Sequence, residues 1–221
     1  IYTLSLHDAL PIWSAKKKII TIGREFGSGG RIVAQTVAEK MGYKFYDKEL
    51  IARVAEASGF SQDYIEDGDE HAHGGGFLNM SLLGASTFVR GMNSHDSMSN
   101  SDKIFVVQCN IIENIADSEN AVIVGRSANY VLRKRSDALH VFIHADIQDR
   151  IRRAVESYGV AERFAEKTVL DKDRERAAYF KNYTGMQWGM ASHYDLTLNS
   201  SKFGLENCAN LIVSIAEGVE L

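Results

Sequence analysis

The sequence predicts an α/β fold: a doubly wound sheet of five parallel strands with helices on both faces. Three observations carry this reading. Short apolar runs of β type alternate with stretches of helical period along most of the chain. The run Ala121-Val122-Ile123-Val124 is apolar at every position, as a strand covered on both faces must be. Most strands run through a glycine or polar turn into a helix, and right-handed crossovers then make the sheet parallel.

With 221 residues, 45% of them hydrophobic, the chain suits one domain with insertions better than two domains. A net charge of −4 provides no global basic field, which argues against bulk-electrostatic binding of nucleic acid but leaves room for small anions held by local arginines. No run is long and apolar enough for a membrane span, and no signal-peptide pattern opens the chain, so a cytoplasmic protein without membrane contact is expected. Cys109 and Cys208 fit no metal spacing and read as buried thiols. Nothing in the sequence specifies an oligomeric state.

The first stretch, Ile1 to Trp13, holds the only proline, Pro11, and its part from Tyr2 to Ile12 resembles translated sequencing-adapter read-through. Residues 1–15 are therefore expected to be a disordered, non-native extension, and residues 16–221 the domain.

The first strand, Ile19 to Ile22, feeds Gly23-Arg24-Glu25-Phe26-Gly27-Ser28-Gly29-Gly30-Arg31, and a helical pattern follows to Met41. Glycines 27, 29 and 30 allow a tight turn that points several N–H groups one way, beside a helix N-terminus. Such a nest suits phosphate. Against the spacing G-x-x-x-x-G-K-[ST], Arg24 stands in place of the first glycine, Gly30 in place of the lysine, and Arg31 follows. The plain alternative is an ordinary βα connection. Two flanking arginines, at the edge where such sheets present ligands, favour Gly23, Gly27, Ser28, Gly29, Gly30 and Arg31 as a phosphate site.

Gly42 stops the first helix, Tyr43 to Tyr46 reads as the second strand ending at Asp47, and a helix follows from Lys48 to Ala57. Between Phe60 and Asp102 the composition turns to acid, His, Gly, Ser and Asn, which reads as a mobile insertion. Its histidines 71, 73 and 95 lack zinc spacing, and its acidic group lacks the calcium-loop pattern, so no metal site is expected. Helical patterns from Ile104 to Ile115, Ala128 to Leu132, Ile147 to Tyr158, Val160 to Tyr183 and Leu205 to Glu217 alternate with strands at 121–124, 139–143 and 196–198.

Arg126 follows four apolar strand residues and should emerge at the carboxyl edge with Asp47 and the glycine loop. Arg150 and Arg153 stand four residues after Asp146 and Asp149, so intrahelical ion pairs are a sufficient account of them. Arg174 and Arg176 lie in a charged run that fits a solvated helix face or, alternatively, a kinase-type lid whose arginine forks meet phosphate.

With those residues in view, the chain resembles the cytidylate kinase-like family of P-loop kinases from about Lys17 onward. The resemblance rests on Thr21 to Arg31, Phe45 to Ile51, Ile123 to Arg126, Tyr183 to Gly189 and Tyr194 to Leu196. It implies a P-loop NTPase fold in three parts: a core sheet, a nucleoside monophosphate-binding insertion over about 60–102 and a helical lid over about 150–176. It implies ATP, with Mg²⁺ arriving on it, and small-molecule nucleotides as the ligands. The acceptor would be a nucleoside monophosphate, CMP or dCMP first, held by Asp47, Arg53 and Arg126. Arg24, Arg126, Arg150 and Arg174 would serve catalysis, with Arg153 and Arg176 in the lid. Val124 stands where cytidylate kinases proper have an acidic residue, and Asn129 where this family often has Asp. A kinase for another small acceptor and a catalytically silent nucleotide-binding protein remain the alternatives.

Overall fold

The computed structural model describes residues 16–63, 65 and 99–218. The extension expected over 1–15 and most of the insertion expected over 60–102 lie outside the described residues. Five strands, β1 (Ile19–Arg24), β2 (Lys44–Tyr46), β3 (Ala121–Val124), β4 (Ala138–His144) and β5 (Leu196–Asn199), form one sheet in the order β2-β3-β1-β4-β5. All four pairings are parallel.

Register explains the two layers. Ile20 sits opposite Val122 and Leu139, and Ile22 opposite Val124 and Val141, so their side chains share one face. That face packs on α1 (Gly30–Met41) and α8 (Leu205–Ala216), through Val33, Val37, Cys208 and Ile212. Ile19, Ala121, Ile123 and Ala138 point the other way and meet α2 (Lys48–Ser58), α3 (Asn100–Ser118) and α4 (Ala128–Val131). The sheet is thus doubly wound, as its apolar runs predict.

Most boundaries differ from the sequence reading by a few residues, each for a local reason. Tyr43 is not in β2, because its N–H closes α1 on Ala38 O (2.9 Å) and its hydroxyl donates to Lys17 O (2.8 Å). The third helix starts earlier than Ile104, since the Ser99 hydroxyl accepts from Asp102 N–H (3.1 Å) and caps it. The helix α5 (Ile147–Tyr158) falls where its periodicity places it, and α6 (Glu162–Thr184) follows. A short helix, α7 (Ser200–Phe203), was not expected; the Asn199 side chain caps it by accepting from Ser201 and Lys202 N–H.

One polar pair sits inside the sheet. Thr21 Oγ1 and His140 Nδ1 are 2.8 Å apart on adjacent strands. His140 N–H donates to Asp195 Oδ2 (2.7 Å), and Asp195 N–H donates to His140 O (2.7 Å). Burial lowers the His140 pKa below its ordinary value, against the opposing pull of the Asp195 carboxylate.

Candidate functional site

The central strand β1 delivers the glycine loop to the carboxyl edge. Gly27 (φ 77°) and Gly29 (φ 76°) take the left-handed conformation that side chains disfavour. Packing enforces the same choice. A Cβ at Gly27 would stand 2.5 Å from Arg150 O, and one at Gly29 would stand 2.5 Å from Leu205 Cδ2. The Ser28 hydroxyl donates to Glu25 O (2.8 Å) and accepts from Gly30 N–H (3.3 Å), while the Ser200 hydroxyl donates to Ser28 O (2.6 Å). Beyond this braced turn α1 begins, and the first N–H groups of a helix have no intrahelical acceptor and carry partial positive charge. The loop therefore fits an anion.

Three arginines hold the loop's carbonyl groups. Arg150 donates to Phe26 O (2.8 Å), Arg153 to Gly27 O, and Arg176 to Arg24 O (3.1 Å). Asp173 accepts from Phe26 N–H (2.7 Å) and pairs with Arg150, which also faces Glu25 at 3.2 Å. Glu25 in turn accepts from Ala145 N–H at 3.0 Å. The carboxylates nearest the loop are thus engaged in holding it. Among the described residues, no group of three or more His, Cys, Asp or Glu is placed to hold a metal ion.

Beside the loop lies a pocket of about 220 Å³. Its base comes from strand ends: Gly23 and Arg24 of β1, Asp47 after β2, and Gly125, Arg126 and Ser127 after β3. One face of α6 closes it with Lys172, Glu175, Arg176 and Tyr179, and Trp188 and Tyr194 complete the wall. Phe142 anchors that wall, with its ring 5.2 Å from Trp188 and 4.9 Å from Tyr194. Burial pushes the Tyr194 hydroxyl up to about 12, so the ring stays neutral. Arg126 (φ 55°) and Ser127 (φ 54°) are non-glycine residues in the left-handed region, each costing on the order of 1–3 kcal/mol. Gln108 helps fix that turn by donating to Arg126 O at 3.0 Å.

The structure brings together Gly23, Arg24, Asp47, Arg126 and Arg176 on the pocket wall, with Gly27, Ser28, Gly29 and Gly30 in the adjoining loop. Arg31 reaches sideways to Asp47 at 2.5 Å. Other expected residues lie elsewhere. Arg150, 5% exposed, is buried in the loop clamp with Arg153. The i,i+4 pairs expected for these two are replaced: α5 turns them toward the loop, Asp149 pairs with Arg152, and Asp146 pairs with Lys202 at 3.3 Å. The Arg174 side chain, 74% exposed, pairs with Asp171 at 2.7 Å and is not part of the pocket wall. Arg53 pairs with Glu49 at 3.2 Å and lies 4.8 Å over the Tyr46 ring, also off the pocket wall. Lys172, Glu175, Tyr179, Trp188 and Tyr194 were not singled out from the sequence. For the α6 residues a signal existed, because 172, 175, 176 and 179 share one helix face, whereas 174 does not.

The family model that matches this chain is described as the cytidylate kinase-like family, and it covers residues 19–202. The chain belongs to that family. It is 26% identical over 95 residues to a cytidylate kinase of Methanoculleus marisnigri, a match covering 43% of this chain and 51% of that protein. The match thus spans about half the length of that relative. The crystal structure of an uncharacterized protein from Eubacterium ventriosum aligns with a TM-score of 0.66 and 26% identity, covering 90% of this chain and 98% of that one. Shikimate kinase from Bacteroides thetaiotaomicron aligns with a TM-score of 0.51 and 13% identity, over 90% of this chain and 98% of that chain, which shows a shared fold. This member of the cytidylate kinase-like family places its glycine loop and its arginine-lined pocket side by side on the same sheet edge.

Proposed function

We propose that the protein transfers the terminal phosphoryl group of ATP to a nucleoside monophosphate, with CMP or dCMP as the first choice of acceptor. The observation that carries this reading is the set of cationic side chains, Arg24, Lys48, Arg126, Lys172 and Arg176, lining one pocket beside a phosphate-type loop. Phosphoryl transfer asks little covalent help from a protein; it needs in-line positioning and cations around the moving group. An oxygen of the acceptor phosphate forms the new bond to the γ-phosphorus, the bond from that phosphorus to the β,γ-bridging oxygen breaks, and ADP leaves. The acceptor oxygen is already anionic, so no general base is required.

In this reading the loop N–H groups hold the donor phosphates, Arg126 and Asp47 hold the acceptor, and Arg24 stabilises the charge that develops between them. Region 150–176 acts as the lid and keeps water out. Mg²⁺ bound to the phosphates of ATP would neutralise charge there, and an ion that keeps most of its waters needs no dedicated protein cage. The ligands are small nucleotides rather than nucleic acid, and the setting is the cytoplasm; among the described residues no helix is long and apolar enough to cross a membrane.

The lysine absent from the loop does not favour a silent protein. A Cβ at Gly30 would stand 2.5 Å from Arg24 Cβ and 3.2 Å from Ile143 Cβ, so a lysine there has no room. The cation of the site is Arg24 instead. A panel of nucleoside monophosphates with ATP and Mg²⁺, read as ADP release, tests the function. CMP or dCMP is expected to react fastest, and Arg24→Ala is expected to lower kcat/KM by about 2–4 kcal/mol equivalent at unchanged Tm. No acceptor-dependent ADP release with any monophosphate would overturn this reading and leave a kinase for another small acceptor or a nucleotide-binding protein without transfer.

A further inference from the structure

We infer that Gly125 is a positioning residue: its bare backbone is the seat of the Arg24 guanidinium, and any side chain at 125 would push that group out of place. The inference rests on the role proposed above for Arg24 and adds the element that holds it. Gly125 follows β3, and its N–H donates to Ile22 O (3.0 Å) on β1, which locks the turn to the strand that carries Arg24. A Cβ built on Gly125 would fall on Arg24 Nη1 and stand 3.0 Å from Cζ and 3.5 Å from Nη2. Within 4 Å those guanidinium atoms are its three nearest neighbours. At Gly27, Gly29 and Gly30 the nearest obstacle is backbone, a leucine methyl or the first carbon of a side chain.

The difference matters physically. Backbone and buried carbons do not yield, so a side chain at 27, 29 or 30 disturbs the fold. The end of a long arginine does yield, so a side chain at 125 is accommodated by moving the charge. The next residue along the chain, Arg126, is strained (φ 55°) and lines the same pocket. The left-handed turn from 125 to 127 therefore brings two guanidinium groups to one wall: one seated on the turn, one borne by it. Beside the Asp47 and Glu175 carboxylates of the same lining, these two guanidinium groups offer an anion paired donors on one wall.

A double-mutant cycle tests this. Gly125→Ala carries the same backbone strain whether or not Arg24 is present, so that contribution cancels in the cycle. With Arg24 in place, Gly125→Ala is expected to reduce kcat/KM for CMP by about tenfold or more; in an Arg24→Ala background it is expected to change kcat/KM less than about twofold. An equal loss in both backgrounds overturns the inference. A second readout needs no activity: the Nε–Hε resonance of Arg24 in arginine-labelled protein, identified by its absence in Arg24→Ala. Gly125→Ala is expected to shift that resonance and leave those of Arg150 and Arg153 unmoved. If it does not move, Gly125 is not the seat. If Arg24→Ala turns over at the wild-type rate, the proposed role of Arg24 fails, and the resonance alone decides the seat.

Discussion

Two groups of arginines meet at the glycine loop, and they are used in opposite ways. Arg150 and Arg153 of α5 are turned inward, and their donors end on Phe26 O, Gly27 O, Glu25 and Asp173. Arg24 and Arg126 sit at strand ends and line an open pocket. The first group fixes the loop's shape; the second provides charge beside it. Residue type does not distinguish them. What does is which partners the backbone brings within reach: helix α6 supplies Asp173 to the first group, and the turn after β3 supplies the bare Gly125 to the second.

The sharpest way to break this comparison is Arg150→Ala. Removing the guanidinium takes from Glu25 and Asp173 the cation they share and leaves Asp173 with Arg176 at 3.8 Å, in surroundings where the lost pair is expected to lower stability by about 3–5 kcal/mol. Urea unfolding measures it, and a loss below about 1 kcal/mol would move Arg150 out of the structural group. Arg24→Ala is the mirror case. Its expected loss is in turnover rather than in the unfolding midpoint, and a variant that melts early would place Arg24 with the clamp.

A smaller effect concerns pH. His140 is held below its ordinary value of 6.5 by burial, so the unfolded chain binds the proton more readily than the folded one. This contribution to stability is whole above pH 6.5 and is lost as pH falls from there through the lower folded value. Unfolding free energy measured across that window should decline toward acid, and a His140→Gln variant should decline less steeply over the same range. Smallest of all is Arg174→Ala. An exposed side chain that pairs, among the described residues, only with its helix neighbour Asp171 should change stability by no more than about 0.5 kcal/mol and leave turnover at the wild-type rate. A large loss of turnover would put Arg174 back in the catalytic group.

Much of the fold was legible because its signals are local. The all-apolar run 121–124, the period of 147–158 and the glycines after β1 each specify an element without reference to the rest of the chain. The site was legible where a residue ends a strand or follows it within two positions, since that alone places Arg24, Asp47 and Arg126 at one edge. On α6 the spacing groups 172, 175, 176 and 179 on one face but does not say which face meets the loop. The charged run there gives Arg174 and Arg176 equal standing, and only the direction in which the helix faces the loop separates them. Trp188 and Tyr194 stand in two of the stretches that carry the resemblance, but no local pattern sends them to the pocket, which they reach through Phe142, 46 and 52 residues earlier. The strand order, with β3 between β2 and β1, likewise has no local signature.

The support of the glycine loop has a consequence for the order of assembly. Ser28 O is held by the Ser200 hydroxyl, and Gly29 lies against Leu205, so two of the loop's braces come from residues more than 170 positions downstream. The strand that bears the loop is itself paired only with β3 and β4. A nascent chain that has left the ribosome only as far as β2 therefore has the loop and its internal Ser28 bonds, but none of the braces from Arg150, Arg153, Ser200 and Leu205. Such distant pairings close slowly. The candidate anion site comes into being late, when the last strand and the two helices after it dock, so a partly synthesised chain should not hold the nucleotide proposed above in a half-built loop.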